Sequence, residues 1–371
     1  MKYYIIAGEA SGDLHGSNLM KALKDDDSNA EFRFWGGDLM LHESENIRKH
    51  YKEMAFMGFV EVVVNLRKIL SNLSDCKHDL LENRPDALIL VDFPGFNLKI
   101  AEFAKRNGIK VYYYISPKVW AWNQKRVLKI KKVVDHMFCI LPFEVSFYDK
   151  WGMKVDYVGN PLLDAISNYS FNTDFKSQNN LDDRPIVALL PGSRKQEIER
   201  LLPEMIKMID HFPENQFVIA GAPTFTVDYY DQYKHGANVP VVFNQTYDLL
   251  KNSEAAIVAS GTATLETALL NVPQVVVYKG NPLSIAIAKL LVKIKYISLV
   301  NLIAEKTVVK ELIQDDCNEK ALNAELDLIL NDVTYRSKML QNYAELHSLM
   351  GEPGASERTA KLIIDYLEMD Q

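Results

Sequence analysis

Cysteine is scarce in this chain. Cys76, Cys139 and Cys317 are the only three, far apart and without metal-ligand spacing. That argues against a disulfide scaffold or a zinc cluster and suits inert thiols in a reducing compartment. No apolar stretch is long enough to cross a bilayer; residues 282–299 come nearest, and Lys289, Lys293 and Lys295 break them into an amphipathic pattern. Positive charge is not in excess either: the net charge is −7, which argues against a general nucleic-acid binder. There is no Gly-Lys-Ser/Thr Walker loop, no Gly-x-Gly-x-x-Gly fingerprint and no Gly-x-Ser-x-Gly elbow. No signal-peptide pattern precedes the first apolar run, Tyr3–Ala7, so a cytosolic protein is expected.

What is present is a strand–loop–helix rhythm that runs twice. A chain of 371 residues with 48% hydrophobic content predicts two α/β domains, Rossmann-like, with a ligand cleft between them. The first domain is expected over residues 1–171 and the second over 185–345. The polar stretch Asn172–Arg184 is the linker, and a terminal segment, 346–371, packs back on the first domain.

In the first half, Tyr3–Ala7 reads as a strand ending in Gly8-Glu9-Ala10-Ser11-Gly12-Asp13. Its glycine spacing suits a loop lining a cleft, or a plain turn that needs small residues. Asp86–Val91 is a buried-strand run ending at Asp92. Ligands of open α/β sheets bind beyond the carboxyl ends of strands, so Asp92 is a candidate general base; its other reading is a helix cap. His15, near the first loop, is the rival base. Residues 53–73 carry a greasy stripe with Met54, Phe56, Met57 and Phe59, which is either core or an apolar contact surface. From Lys118 to Lys132 the chain has no acidic residue but carries Trp120, Trp122, Lys125 and Arg126, a basic aromatic patch suited to an anionic lipid surface or a phosphate-bearing substrate.

In the second half, Ile186–Leu190 precedes Pro191-Gly192-Ser193-Arg194, where Arg194 could pair with a phosphate. The apolar run Ala255–Ala259 leads into Ser260-Gly261-Thr262-Ala263-Thr264-Leu265-Glu266, followed by a helix and the strand Gln274–Tyr278. Small residues at this turn let backbone amides approach a ligand, and the helix N-terminus favours phosphate. Glu266, one turn in, is placed to accept a ribose diol. An ordinary capped turn is the competing reading. A metal-independent transfer from a nucleoside-diphosphate sugar fits these features: no metal site and no cofactor are expected, and the leaving diphosphate is neutralised by a helix N-terminus and Arg194.

Together the motifs resemble the lipid-A-disaccharide synthase family, glycosyltransferases of the GT-B architecture. The resemblance is carried by Gly8–Asp13, Met57-Gly58-Phe59-Val60-Glu61-Val62, Asp92-Phe93-Pro94-Gly95-Phe96-Asn97 and Ser116-Pro117-Lys118-Val119-Trp120-Ala121-Trp122. It continues through Leu141-Pro142-Phe143-Glu144, Leu190–Arg194, Ala259–Glu266 and Ser298-Leu299-Val300-Asn301-Leu302, in order along nearly the whole chain. Val300 stands where the more familiar pattern has proline.

The resemblance implies condensation of UDP-2,3-diacylglucosamine with 2,3-diacylglucosamine 1-phosphate (lipid X), with release of UDP, at the cytoplasmic face of the inner membrane. It implies Asp92 as the catalytic position, and Arg194, Glu266 and Asn301 on the donor side. It also implies acyl-chain or membrane contacts for the greasy stretch and the tryptophan-rich patch. A homodimer is compatible with the pattern. A UDP-sugar 2-epimerase of the same architecture and a non-catalytic lipid or nucleotide carrier are the alternatives.

Overall fold

Two parallel sheets, each covered by helices on both faces, organise the chain. The computed structural model describes residues 1–54, 65–281 and 295–369. The chain divides into two compact units: unit 1 is Met1–Asp164 with Glu352–Gln371, and unit 2 is Ala165–Gly351.

In unit 1, seven strands run β1 (Lys2–Ala7), β2 (Glu31–Gly36), β3 (Ile47–His50), β4 (Ala87–Val91), β5 (Lys110–Tyr114), β6 (His136–Cys139) and β7 (Asp156–Tyr157). Their spatial order is β3-β2-β1-β4-β5-β6-β7, and the pairings are parallel. Because both faces are covered, the strands are nearly continuous apolar runs. Alternation along them sorts residues between two cores. Tyr4, Ile6, Leu88, Leu90, Val111 and Tyr113 enter one. Tyr3, Ile5, Ala87, Ile89, Tyr112 and Tyr114 enter the other.

The second core is completed from the far end of the chain. Helix Ala355–Met369 places Ala360, Ile363 and Leu367 there beside Leu19, Met20 and Leu23 of helix Ala10–Asp26. Burying an Ile or Leu side chain contributes roughly 1.5–3 kcal/mol. Polar contacts fix the entry to this helix. The Asp164 carboxylate accepts from the backbone N–H of Gly354 and, at 3.0 Å, of Ala355. Arg358 donates to the carbonyls of Val158, Pro353 and Glu352, each at 2.8 Å.

In unit 2, six strands run β8 (Ile186–Leu190), β9 (Gln216–Gly221), β10 (Val241–Phe243), β11 (Ser253–Ala259), β12 (Gln274–Tyr278) and β13 (Glu311–Ile313), in the order β10-β9-β8-β11-β12-β13. Residues 172–184, read above as linker, belong to this body. Phe175 is fully buried in its core with Leu249 and Leu250. The Asp248 carboxylate accepts from the Tyr169 hydroxyl at 2.6 Å and from the Asn172 N–H at 2.7 Å. Leu181 packs on the same core, and the Gln216 side chain bonds to the backbone of Asp182 and Arg184, so an otherwise polar stretch is seated along its length.

β3 and β13 have no counterpart in the sequence reading. Both are short and partly exposed edge strands, with Ile47-Arg48-Lys49-His50 and Glu311-Leu312-Ile313 too brief for a period-2 signal. The three cysteines are free and buried. Among the described residues, no helix is long and apolar enough to cross a membrane.

The Asp164 contacts give a direct test. Asp164→Ala leaves two first-turn amides of the last helix without their acceptor and should cost about 1–2 kcal/mol. It is expected to lower the thermal midpoint and to speed proteolytic cleavage near residues 350–355.

Candidate functional site

Each sheet has one place where strand order reverses, and there the loops that follow two neighbouring strands part to opposite faces. In unit 1 that place lies between β1 and β4, whose ends are paired at Ala7 and Val91. The residues that follow are Gly8-Glu9 and Asp92-Phe93. β5 and β6 continue the same edge with Val91 opposite Tyr114 and Tyr114 opposite Phe138.

The backbone at this edge is strained. Asp92 has φ 43°, Phe93 φ 49° and Ile115 φ 65°, left-handed values that cost side-chain-bearing residues energy and are least tolerated by a β-branched one. The surrounding structure holds them there. The Asp92 N–H donates to the Tyr114 carbonyl at 3.1 Å, and its carbonyl accepts from the Tyr113 hydroxyl at 2.5 Å and from Asn97 Nδ2 at 2.7 Å. The backbone polar groups of Asp92 are thus fully committed, and its carboxylate accepts from the Phe93 N–H. Burial pushes the Asp92 carboxyl up to about 6; Lys118 pulls it down and Glu9 pushes it further up. A carboxylate tuned towards neutrality at a strand end fits a general base. His15 differs: burial alone pushes its imidazole down to about 4, and its Nδ1 is buried without a partner among the described residues.

The rest of the first glycine loop divides by role. Gly8 packs against Phe93, whose ring carbon would stand 2.3 Å from an added Cβ. Gly12 lies against Ala7. Asp13 is buried and accepts from the N–H groups of Gly37, Leu39 and Met40 at 2.7, 3.0 and 3.1 Å. Its carboxylate thus caps helix Asp38–Glu43 from the first loop. Ser11 is exposed and Glu9 half-buried at the edge itself.

Burial also corrects part of the proposed apolar surface. Met54 lies in the core with Leu73 and Cys76. Trp120 is buried and donates from Nε1 to Glu144 at 3.1 Å. Glu144 also receives the Ser116 hydroxyl at 2.5 Å and the Leu141 N–H at 3.1 Å, so it ties the loops after β5 and β6 together. The indole of Trp120 serves that tie and offers no surface. Trp122 is half exposed, with the Arg126 guanidinium 5.2 Å over its ring. A groove of about 570 Å³ is lined by Lys105, Arg106, Lys125, Lys129 and Lys132 around the exposed Leu128, with Glu102 in its wall paired to Arg106 and Lys129. Phe56, Met57 and Phe59 lie outside the described residues.

In unit 2 the reversal lies between β8 and β11, with Leu190 opposite Val258. It therefore brings the Pro191–Arg194 loop beside the Ser260–Glu266 turn. Gly192, at φ 101°, turns the first loop tightly over Glu197. The Glu197 carboxylate accepts from the N–H groups of Ser193 and Arg194, both at 3.2 Å. The Arg194 side chain is exposed and only loosely paired with Glu197, at 3.6 Å. Such a surface pair is worth little, so the guanidinium is available to an anion.

Across from it, Gly261 is exposed, and a Cβ added there would meet no atom within 4 Å. The protein's own packing does not require glycine at this point, and the open space lies over the first turn of helix Thr262–Leu269. Thr262 is exposed and Ala263 half-buried, whereas Thr264 is buried with its hydroxyl on the Gly261 carbonyl at 2.8 Å. Ser260 donates its hydroxyl to the Ile297 carbonyl at 3.0 Å. Glu266 accepts from the Tyr247 hydroxyl at 2.8 Å, and burial raises its carboxyl.

Asn301, expected on the donor side, is tied into the fold of unit 2. It is fully buried, and its amide is spent inside unit 2. Oδ1 accepts from the N–H groups of Val308 and Val309 at 2.7 and 3.0 Å; Nδ2 donates to the Val309 carbonyl and to Glu311, each at 2.9 Å. Glu311 in turn receives the N–H and hydroxyl of Ser298. Asn301 braces the turn after its own helix.

A family model described as lipid-A-disaccharide synthetase matches residues 3–363. The chain is 38% identical to the lipid-A-disaccharide synthase of Trichlorobacter lovleyi over 98% of its own length and 97% of that protein's. It is 40% identical to that of Syntrophus aciditrophicus with the same coverage. Among solved structures it resembles the UDP-GlcNAc 2-epimerase of Neisseria meningitidis bound to UDP-GlcNAc, with TM-score 0.68, 13% identity and full coverage of both chains. It also resembles a sucrose-phosphate synthase from Thermosynechococcus elongatus, with TM-score 0.60, 11% identity and full coverage of both. At that identity the likeness shows two Rossmann-like domains and no more.

The roles of Asp13 and Asn301 can be separated from ligand binding. Asn301→Ala orphans three backbone groups in the core, and Asp13→Ala orphans three helix-end amides. Each is expected to cost about 2–4 kcal/mol and lower the thermal midpoint without any ligand. An unchanged midpoint with weakened nucleotide binding would instead return Asn301 to the donor site.

Proposed function

The chain belongs to the lipid-A-disaccharide synthase family of glycosyltransferases in lipid A biosynthesis, and from that premise we propose its substrates and mechanism. It condenses UDP-2,3-diacylglucosamine with lipid X, giving lipid A disaccharide 1-phosphate and UDP with inversion at the anomeric carbon. The observation that carries this reading is Asp92: a carboxylate held at the reversal point of its sheet, on a strained backbone, with its pKa raised to about 6.

In this mechanism the acceptor's 6-hydroxyl oxygen attacks C1 of the donor sugar. The C1–O bond to the diphosphate breaks, UDP leaves, and the hydroxyl proton passes to Asp92. Charge grows on the leaving diphosphate. The first-turn amides of helix Thr262–Leu269 and the Arg194 guanidinium neutralise it without a metal ion, and the space over Gly261 admits it to the backbone. Glu266 receives the ribose hydroxyls. Trp122, Lys125 and Arg126, with the lysine-lined groove beside them, face the anionic inner surface of the membrane from which both lipids are drawn.

The experiment is UDP release by the purified protein from UDP-2,3-diacylglucosamine, with and without lipid X, in EDTA. Release that depends on lipid X, with a disaccharide product, is expected; donor interconversion without acceptor would move the chain to the epimerase reading. Asp92→Ala should lower kcat by about 10²–10⁴-fold while UDP binding persists. Because Asp92 acts deprotonated, the wild-type rate should rise with pH through about 6 and then level. An acid limb near 4, or an undiminished rate in Asp92→Ala, would remove Asp92 as the base.

A further inference from the structure

We propose that Tyr247 is a positioning residue for the donor nucleotide, holding the Glu266 carboxylate in the orientation that receives the ribose diol. The inference rests on the reading of Glu266 given above and extends it to a residue with no ligand contact of its own.

The geometry is specific. Helix Thr246–Lys251 precedes β11, and helix Thr262–Leu269 follows it. The two helices are joined across the strand by one side-chain bond, from the Tyr247 hydroxyl to Glu266 Oε1 at 2.8 Å. Among the described residues Glu266 Oε2 has no such partner. A carboxylate that accepts a cis-diol offers one oxygen to each hydroxyl, so its plane must be set before the ligand arrives. Anchoring Oε1 through a single donor sets that plane and leaves lone pairs on both oxygens.

The phenol is itself immobilised. Its ring meets that of Tyr169 edge-on, at 5.1 Å between centroids and 68° between planes. Tyr169 is fixed by its own hydroxyl on Asp248 Oδ2 at 2.6 Å, and Asn172 N–H holds Asp248 Oδ1 at 2.7 Å. The segment Tyr169–Asn172 thus grips two adjacent residues of one helix, and only Tyr247 passes that grip on to the site. Phenylalanine would fill the same ring position and keep the same edge contact. The hydroxyl therefore answers to Glu266, not to packing.

The test compares wild type, Tyr247→Phe, Glu266→Ala and the double variant, each full length, by calorimetric binding of UDP and of 2′-deoxy-UDP. Wild type should prefer UDP, and Glu266→Ala should lose that preference. Tyr247→Phe should weaken UDP about 10-fold, the loss of one hydrogen bond to a charged group, and 2′-deoxy-UDP by less than about twofold. Its thermal midpoint should stay near that of wild type, and the double variant should bind no worse than Glu266→Ala. Wild-type affinity in Tyr247→Phe, or equal weakening of both nucleotides, would overturn the positioning role while leaving Glu266 as the ribose ligand. A preference for UDP that survives in Glu266→Ala would overturn the ribose reading, and the role of Tyr247 with it.

Discussion

Parallel strand pairing is the constraint on which the rest of this structure depends. A parallel neighbour cannot be reached by a tight turn, so each strand must be followed by a crossover, usually helical. All strands of a sheet then end on one edge, and every loop that leaves that edge starts from a fixed height. Functional side chains gather there without any loop having to be long. Asp92 and the Ser260–Glu266 turn occupy equivalent places in two separate sheets, each beside a reversal in strand order. The same crossovers bury both faces of both sheets. That is why the last helix, far along the chain from β1, has an apolar face waiting for it in unit 1.

That regularity made the edge legible in the sequence. Apolar runs ended by Gly8, Asp92, Pro191 and Ser260 located strand ends, and strand ends pointed to the candidate site. What the sequence withheld was the direction in which polar side chains turn. Asp13 and Asp92 both follow apolar runs, yet Asp13 is consumed by three amides at residues 37–40, whereas the Asp92 carboxylate accepts from its own neighbour, Phe93. The partners of Asn301 lie at 308–311 and come within reach only when β13 forms, a strand too short to announce itself. Trp120 and Trp122 stand two apart in one basic run. One is drawn inward by a buried carboxylate from another loop, and the other is not. Local pattern carries no information about such distant acceptors.

The choice of base turns on this difference between backbone and side chain. At Asp92 every backbone polar group is used to hold a left-handed conformation, which two neighbouring tyrosines and Asn97 secure. Strain of that kind persists only where surrounding bonds over-determine it. The carboxylate held there is pushed by burial up to about 6, with Lys118 and the Phe93 N–H pulling it down and Glu9 pushing it up. His15 has been moved the other way. Its imidazole, at about 4, is the weaker proton acceptor, and one of its nitrogens is shut away from any partner among the described residues. A general base gains from a pKa close to the working pH as long as it stays deprotonated there. Both groups are deprotonated at neutral pH, so the proposed assignment rests on basicity. On that count Asp92 is the better candidate base.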